Sequence, residues 1–498
     1  MNLDYHALAP ELVVAATILV VLTLDVVLPR SRKYWTAFAA VLGLAIAALP
    51  LLTLAFDDGP QSRSMMGGGY VVDEFALVLK AVFIVGGYLV LLMSVSFIES
   101  DRYYQGEYYL LMITSILGSL VMASSRDLIT LFVGLELVTG PLFLLAGWRK
   151  GDSRSNEAAL KFFILGVLST AILLYGMSFL YGLTGSVTFE GIRQAAPALA
   201  DSGAFRLAVL FTIVGFGFKV TAVPFHFWAP DTYQGAPTPV TAYLSVGSKT
   251  AGFVGLMLLC YQALPAVTEI WGPTLWILAA LSMTLGNLTA LRQDNVVRLL
   301  AYSSIAQGGF ILVPFAAAAV SNDPEVIQEA ASAIIVYVII YAFMNLGAFG
   351  VVIAGARRTG SVEIDDWAGM WRYSPRVAVL GAVFFFSLAG IPPLAGWYAK
   401  FVMFLSILRP DNVWTTALAV IAAVNAVIAL VYYARIGKTM WMDPVPEGIE
   451  PKADSRPLVG SLALALGITA LFVGAAGVFP YEFAGVFADL AKTVTGGI

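Results

Sequence analysis

Long apolar runs, each closed by a short polar stretch, fill the chain from residue 9 to residue 479. A membrane-crossing helix needs about 20 apolar residues. That length predicts fourteen spans: 9–28, 35–56, 75–97, 108–125, 127–147, 158–182, 206–224, 240–262, 271–291, 296–318, 328–354, 376–408, 413–435 and 457–479. The twelfth is too long for one straight helix and is interrupted by Pro392 and Pro393. The seventh reads "FGFKVTAVPFHFW" (216–228), with Lys219 ahead of Pro224, and "PTP" follows at Pro237 and Pro239. The first span has no basic stretch before it and no cleavage site after it, which predicts a retained helix and not a signal peptide. The pattern predicts an all-α polytopic membrane protein.

Spans 4–8 and 9–13 form two consecutive groups of five, and in each the fourth helix is proline-broken and carries a lysine. An odd number of helices per copy inverts the second copy, as in transporters with sites near the membrane midplane. The expected organisation is an N-terminal three-helix segment (1–107), a first five-helix repeat (108–262), an inverted second repeat (263–435), and a C-terminal loop with the last helix (436–498).

Composition narrows the chemistry. Of 498 residues, 59% are hydrophobic and 12% charged, against about 25% charged in soluble domains. Mean hydropathy is +0.84. The net charge of −4 says little about partners, because the charges are confined to short loops. The single cysteine, Cys260, excludes a disulfide within the chain and a cysteine-ligated iron–sulfur cluster. His6 and His226 cannot supply a pair of intramembrane haem ligands. There is no G-x-x-x-x-G-K-[ST] loop, and "GFGFKV" from Gly215 lacks the third glycine of a dinucleotide fingerprint and lies inside an apolar helix. No redox centre, metal or nucleotide site is expected in this chain.

The loops on the side opposite the termini hold 17 basic residues, against 6 on the side bearing them. The basic side faces the cytoplasm, so both termini are expected outside it. The five remaining cations, Lys80, Lys161, Lys219, Lys249 and Lys400, all fall inside spans. A charge at mid-membrane costs roughly 2.5–3.5 kcal/mol on insertion scales and marks ion or proton paths. Lysine suits such a path because it releases its proton far more readily than arginine.

Glu136 lies nine residues past Asp127, about 14 Å along a helix, near mid-membrane; its alternative role is a helix-packing hydrogen bond. Lys249 is equally deep, too deep to snorkel. Lys80, about five residues into its span, is expected to snorkel, and Lys161 stands close to a span start. Lys219 and Lys400 each neighbour a broken helix, whose freed backbone groups tolerate membrane depth only beside protein or water; two such breaks point to hydrated sites. Tyr337, Tyr341 and Asn345 recur every four residues on one helix face, as do Ser303 and Gln307. These stripes make interhelical hydrogen bonds or line a water wire. The supporting set is completed by Lys161 and His226.

"KVTAVPFHFWAPDTYQGAPTPVTAYLSVGSK" (219–249) resembles the signature of the antiporter-like subunits of respiratory complex I. Its "APDTYQGAP" form is similar to the subunit N, or subunit 2, branch more than to the L and M relatives. "LAPE" (8–11), "EAALKFFILG" (157–166), "RLLAYSSIAQGGF" (298–310) and "GIPPLAGWYAKF" (390–401) match the same family in order. The resemblance covers nearly the whole chain. It implies that Glu136 and Lys219 form the coupled pair of a first half-channel, that Lys249 is the central proton carrier and that Lys400 is the terminal one facing the exit. Lys161 matches a lysine of the family. Gln307 departs from the family's usual "YSSIAH", which puts a titrating role there in doubt.

The resemblance implies a proton-translocating subunit of NADH:quinone oxidoreductase in a bacterial plasma membrane. NADH, flavin, iron–sulfur clusters and quinone would belong to partner subunits, and related L and M subunits would be neighbours. A cation/proton antiporter subunit and a non-pumping structural subunit are the alternatives.

Overall fold

The computed structural model describes residues 3–57, 62–99, 106–446, 458 and 460–495. Helices account for nearly all of it. The first three are α1 (Ala9–Val27), α2 (Tyr34–Ala55) and α3 (Glu74–Glu99), with a short hairpin of β1 (Arg63–Met65) and β2 (Tyr70–Val72) between α2 and α3. Then come α4 (Gly106–Ser124), α5 (Leu128–Ala146), α6 (Ser153–Thr184), α7 (Phe189–Leu199), α8 (Gly203–Lys219) and α9 (Ala229–Gly235). One continuous helical rod follows: α10 (Thr238–Tyr243), a π-helical stretch Leu244–Ser248, α11 (Lys249–Met257) and a second π stretch Leu258–Ala263. The rest is α12 (Thr268–Ala290), α13 (Val296–Ala319), α14 (Pro324–Thr359), α15 (Met370–Tyr373), α16 (Pro375–Ala389), α17 (Ala395–Leu408), α18 (Val413–Trp441), α19 (Gly460–Val478) and α20 (Pro480–Thr495).

Among the described residues twelve helical segments are long and apolar enough to cross a membrane. The all-α polytopic architecture is therefore as expected. The two expected interruptions are present as well. α8 ends at Lys219, five residues before Pro224, and α9 starts ten residues after Lys219. α16 ends at Ala389 and α17 begins at Ala395, with Pro392 and Pro393 in the gap. Pro237 caps α10, and Pro239 stands in its first turn, where a missing N–H costs nothing. Five elements lie outside the expected list: α7, α9, α15, α20 and the β1–β2 hairpin. α7 and α20 are short and amphipathic, and the hairpin strands are three residues each, so a search for 20-residue apolar runs passes over them.

Polar caps set the helix starts: Asp127 accepts from Thr130 N, Asn295 from Arg298 N and Asp152 from Arg154 N. One continuous apolar core runs from Val14 in α1 to Val494 in α20. The α10–α11 rod, α13 and α14 lie at its centre, with 100%, 89% and 94% of their apolar windows buried. Polar side chains on these helices cannot reach the surface and must find partners inside.

Small residues allow the closest helix approaches. A Cβ on Gly118 of α4 would stand 2.6 Å from Val138 N and 2.8 Å from Gly134 O of α5. Both are backbone atoms, so the helices would have to separate. We expect Gly118→Val to cost roughly 1–3 kcal/mol through overpacking, seen as a lower melting temperature and less protein in purified membranes. Unchanged melting would show that α4 and α5 have room to part.

Candidate functional site

At the first break, protein donors meet the backbone groups that the missing helix turn leaves free. Phe218 O accepts Thr221 N at 3.1 Å and the Trp228 indole N–H at 3.3 Å, and Gly217 O accepts Ala222 N at 2.8 Å. Ser282 Oγ of α12 accepts Val223 N at 2.9 Å. Pro224 itself is exposed on the surface of the chain. Lys219 is the last residue of α8 and turns its ammonium toward α5. Its Nζ lies 3.0 Å from Thr139 Oγ1 and 3.4 Å from Glu136 Oε1, both on α5. Thr170 of α6 donates to the same Glu136 oxygen at 2.8 Å. The Lys219 side chain is 1% exposed and that of Glu136 31%, so the pair sits at a rim, with its cation inward and its carboxylate outward. The structure thus brings together the two residues that the family resemblance pairs, and adds Thr139 and Thr170.

Lys249 starts α11, where the π stretch hands over to α-helix. Its Nζ donates to both the carbonyl and the hydroxyl of Ser304 on α13, each at 2.6 Å, and Tyr341 of α14 donates to that hydroxyl at 2.9 Å. Gly308 makes this approach possible: a Cβ there would meet Val220 O of the first break at 3.1 Å and Lys249 Nζ at 3.8 Å. α13 is thereby wedged between the Lys219 break and Lys249. Asn345, one turn beyond Tyr341, donates to Ser245 within the π stretch at 2.8 Å.

One turn past Ser304 on α13, Gln307 carries the polar line onward. Its amide accepts from Tyr337 at 2.7 Å and donates to Leu388 O of α16 at 3.1 Å. The next carbonyl, Ala389 O, accepts Lys400 Nζ at 2.6 Å, and the ammonium lies 5.3 Å from the Phe310 ring. Lys400 belongs to α17, yet its charge reaches back across the second break to the last carbonyl of α16. Lys400 thus serves a helix C-terminal end from beyond its break, whereas Lys219 ends the helix before its break and turns its ammonium to α5. Pro392 and Pro393 are exposed, like Pro224.

The tyrosine–asparagine stripe makes interhelical hydrogen bonds at all three positions: Tyr337 to Gln307, Tyr341 to Ser304 and Asn345 to Ser245. Ser303, on the same face of α13 as Gln307, bonds the Tyr433 hydroxyl of α18, which also neighbours the Gln307 side chain. The residue that meets Lys249 is Ser304, one position on and about 100° around the helix. His226 is buried and packs against Phe227, with ring centroids 4.6 Å apart. Lys161 stands apart from the buried line. Its side chain is 42% exposed and pairs at 2.6 Å with both Glu157 and Asp231. Asp231, in the first turn of α9, also takes Arg298 at 2.8 Å, so this cluster ties α9 to α6 and α13.

Lys80 corrects the sequence reading. It does not snorkel: it is fully buried, with Nζ 2.7 Å from Glu11 Oε1. Depth counted along its own helix missed the carboxylate that α1 supplies from 69 residues away.

A polytopic helical bundle with buried lysines at its broken helices, joined by hydroxyl and amide groups, has the build of an ion-translocating membrane protein, and its buried charges fit a proton-translocation path. The chain belongs to the family described as "NADH:quinone oxidoreductase/Mrp antiporter, TM", whose model matches residues 125–426. It is 39% identical over 477 residues to the NADH-quinone oxidoreductase subunit N of Moorella thermoacetica, with 96% of each chain covered. It is 41% identical to NADH-quinone oxidoreductase subunit N 1 of Koribacter versatilis, over 96% of this chain and 94% of that one. A chain of respiratory complex I from Thermus thermophilus superposes with a TM-score of 0.77 at 29% identity, covering 96% of this chain and 99% of that one. A chain of the Mrp complex from Dietzia sp. DQ12-45-1b shares the fold, with a TM-score of 0.84 at 19% identity over 99% and 98% of the two chains.

Proposed function

We propose that this chain is a membrane-arm subunit of an NADH:quinone oxidoreductase that moves protons along the Lys219–Lys249–Lys400 line while other subunits carry out the redox chemistry. The observation that carries this reading is the run of buried contacts from Glu136 and Lys219, past Gly308, through Lys249, Ser304 and Gln307 to Lys400. Two unit charges at the 3.4 Å Glu136–Lys219 separation attract by about 5 kcal/mol at an effective dielectric constant of 20. Moving one charge against 100 mV takes about 2.3 kcal/mol. Opening and closing this pair is thus an adequate energetic lever for pushing a proton inward from Lys219.

In this reading Lys249 is the central carrier, Lys400 the terminal one, and Lys161 with His226 stands beside the first break. NADH, flavin, iron–sulfur clusters and quinone belong to partner subunits, and related antiporter-like subunits lie next to this one in the membrane. The identity to subunit N relatives along nearly the whole chain favours this assembly over a free-standing cation/proton antiporter. Purification of the native complex tests it. Flavin and iron–sulfur subunits should co-purify; companions that are all membrane proteins would favour the antiporter.

The membrane is a bacterial plasma membrane, with both termini outside the cytoplasm. A cysteine placed at Ile498, which lies outside the described residues, should react with an impermeant thiol reagent on intact cells in a Cys260-free background. Reaction only after permeabilisation would reverse the orientation.

A further inference from the structure

A second buried acid–base pair lies outside the line from Glu136 to Lys400 and outside residues 125–426, the stretch matched to the family. Lys80 of α3 is 0% exposed and Glu11 of α1 7%. Glu11 Oε1 takes both Lys80 Nζ, at 2.7 Å, and the Tyr70 hydroxyl, at 2.8 Å, and Lys80 Nζ also lies 5.4 Å from the Tyr70 ring centroid. Glu11 Oε2 is buried without a hydrogen-bonding partner among the described residues, as is the Ser124 hydroxyl at the end of α4.

The other charged groups close by have partners of their own. Asp73, just ahead of α3, is held by Arg126 at 2.6 Å, and Asp127 caps α5. The β1–β2 hairpin closes the site from the side that bears the termini. Tyr70 bridges to Ser125, and Arg126 N donates to Gly69 O at 2.8 Å. A buried ion pair is weak evidence for stability, because uncharged groups of the same shape do as well or better. An ionisable pair buried inside the bundle with one carboxylate oxygen unpartnered points instead to proton chemistry.

We propose that Glu11 and Lys80 form a second protonatable site, which takes up and gives back one proton on the termini side of the bundle, beneath the hairpin. A proton bound at Glu11 Oε2 makes the carboxylate a neutral acid and leaves Lys80 an ammonium without a counter-charge. Lys80 then gives its proton to water on the termini side and becomes a neutral amine. Transfer of the Glu11 proton to Lys80 Nζ restores the ion pair, so one proton enters, one leaves and no charge accumulates. This inference rests on the proton-translocating reading of the chain.

The test uses the assembled complex in membrane vesicles, with redox-linked proton flux measured per assembled complex against the pH of the compartment facing the termini. The Glu11→Gln/Lys80→Met double variant keeps the shape of the pair and removes both charges. It should assemble as the parent does, lose at least half of its flux and lose one limb of the pH profile. Wild-type flux and profile in the assembled double variant would reduce the pair to a structural clasp and overturn the proposal. Should the double variant assemble poorly, Glu11→Asp retains the titrating group in a shorter side chain; a displaced pH limb is the supporting result and an unmoved one the refutation. Glu136→Gln is measured alongside. Flux lost there but normal in the double variant sinks this inference alone, whereas normal flux in both sinks the underlying reading.

Discussion

Lys219→Ala and Glu136→Gln should each cut redox-linked proton flux per assembled complex by roughly tenfold or more, while the complex still assembles. A factor of ten corresponds to only about 1.4 kcal/mol on a barrier, well within the roughly 5 kcal/mol attraction of the pair. Assembly should survive because Lys219 keeps the Thr139 hydroxyl at 3.0 Å when Glu136 is neutral, and Glu136, 31% exposed at the rim, keeps Thr170 when Lys219 is lost. Thr139 already donates to Leu135 O at 2.6 Å, so losing the ammonium does not orphan its hydroxyl. In Glu136→Gln the amide carbonyl still accepts from Thr170, which donates to the present carboxylate at 2.8 Å. The change removes charge and little else. If both variants assemble and pump at the parent rate, the chain only fills the membrane arm.

The second large effect is expected at Gln307. Gln307→Leu should lose most flux and Gln307→His should retain a substantial part. The amide joins Tyr337 to Leu388 O, at 2.7 and 3.1 Å, next to the carbonyl that holds Lys400. Leucine leaves a hydroxyl and a carbonyl unsatisfied at the centre of the bundle, at about 1–3 kcal/mol each, and cuts the polar line between Ser304 and Lys400. A histidine ring accepts at one nitrogen and donates at the other, so it can serve both partners. If Gln307 is merely a packing contact, worth about 0.6 kcal/mol on average in membranes, leucine lowers stability slightly and leaves normalised flux intact. Full flux in the leucine variant would remove Gln307 from the path.

Helices and their two breaks are written plainly in the chain, because apolar runs and prolines act through local backbone chemistry. The lysines were legible for a related reason: a cation inside an apolar run has no local explanation. Their partners were not. Ser304 and Thr139 look like any hydroxyl on a buried helix, and only tertiary packing selects Ser304 over Ser303 as the residue facing Lys249. Glu11 resembles an ordinary first-turn acid at a helix start, and nothing local connects it to Lys80. The amphipathic α7 and α20 fall below the length at which hydropathy speaks, although their polar and apolar faces separate cleanly at helical spacing.

The half-helix that ends beside Lys400 has a further consequence. A helix terminus is a fixed pole that no side-chain reaction discharges. In the proposed path, a Lys400 that gave up its proton would leave the α16 pole in place, and the pole would draw the next positive charge toward the vacated amine. The second break would then behave as a spring that is loaded by losing a proton and relaxes by regaining one. Refilling would be built into the backbone, and the direction of transport left to whichever side is allowed to supply the replacement.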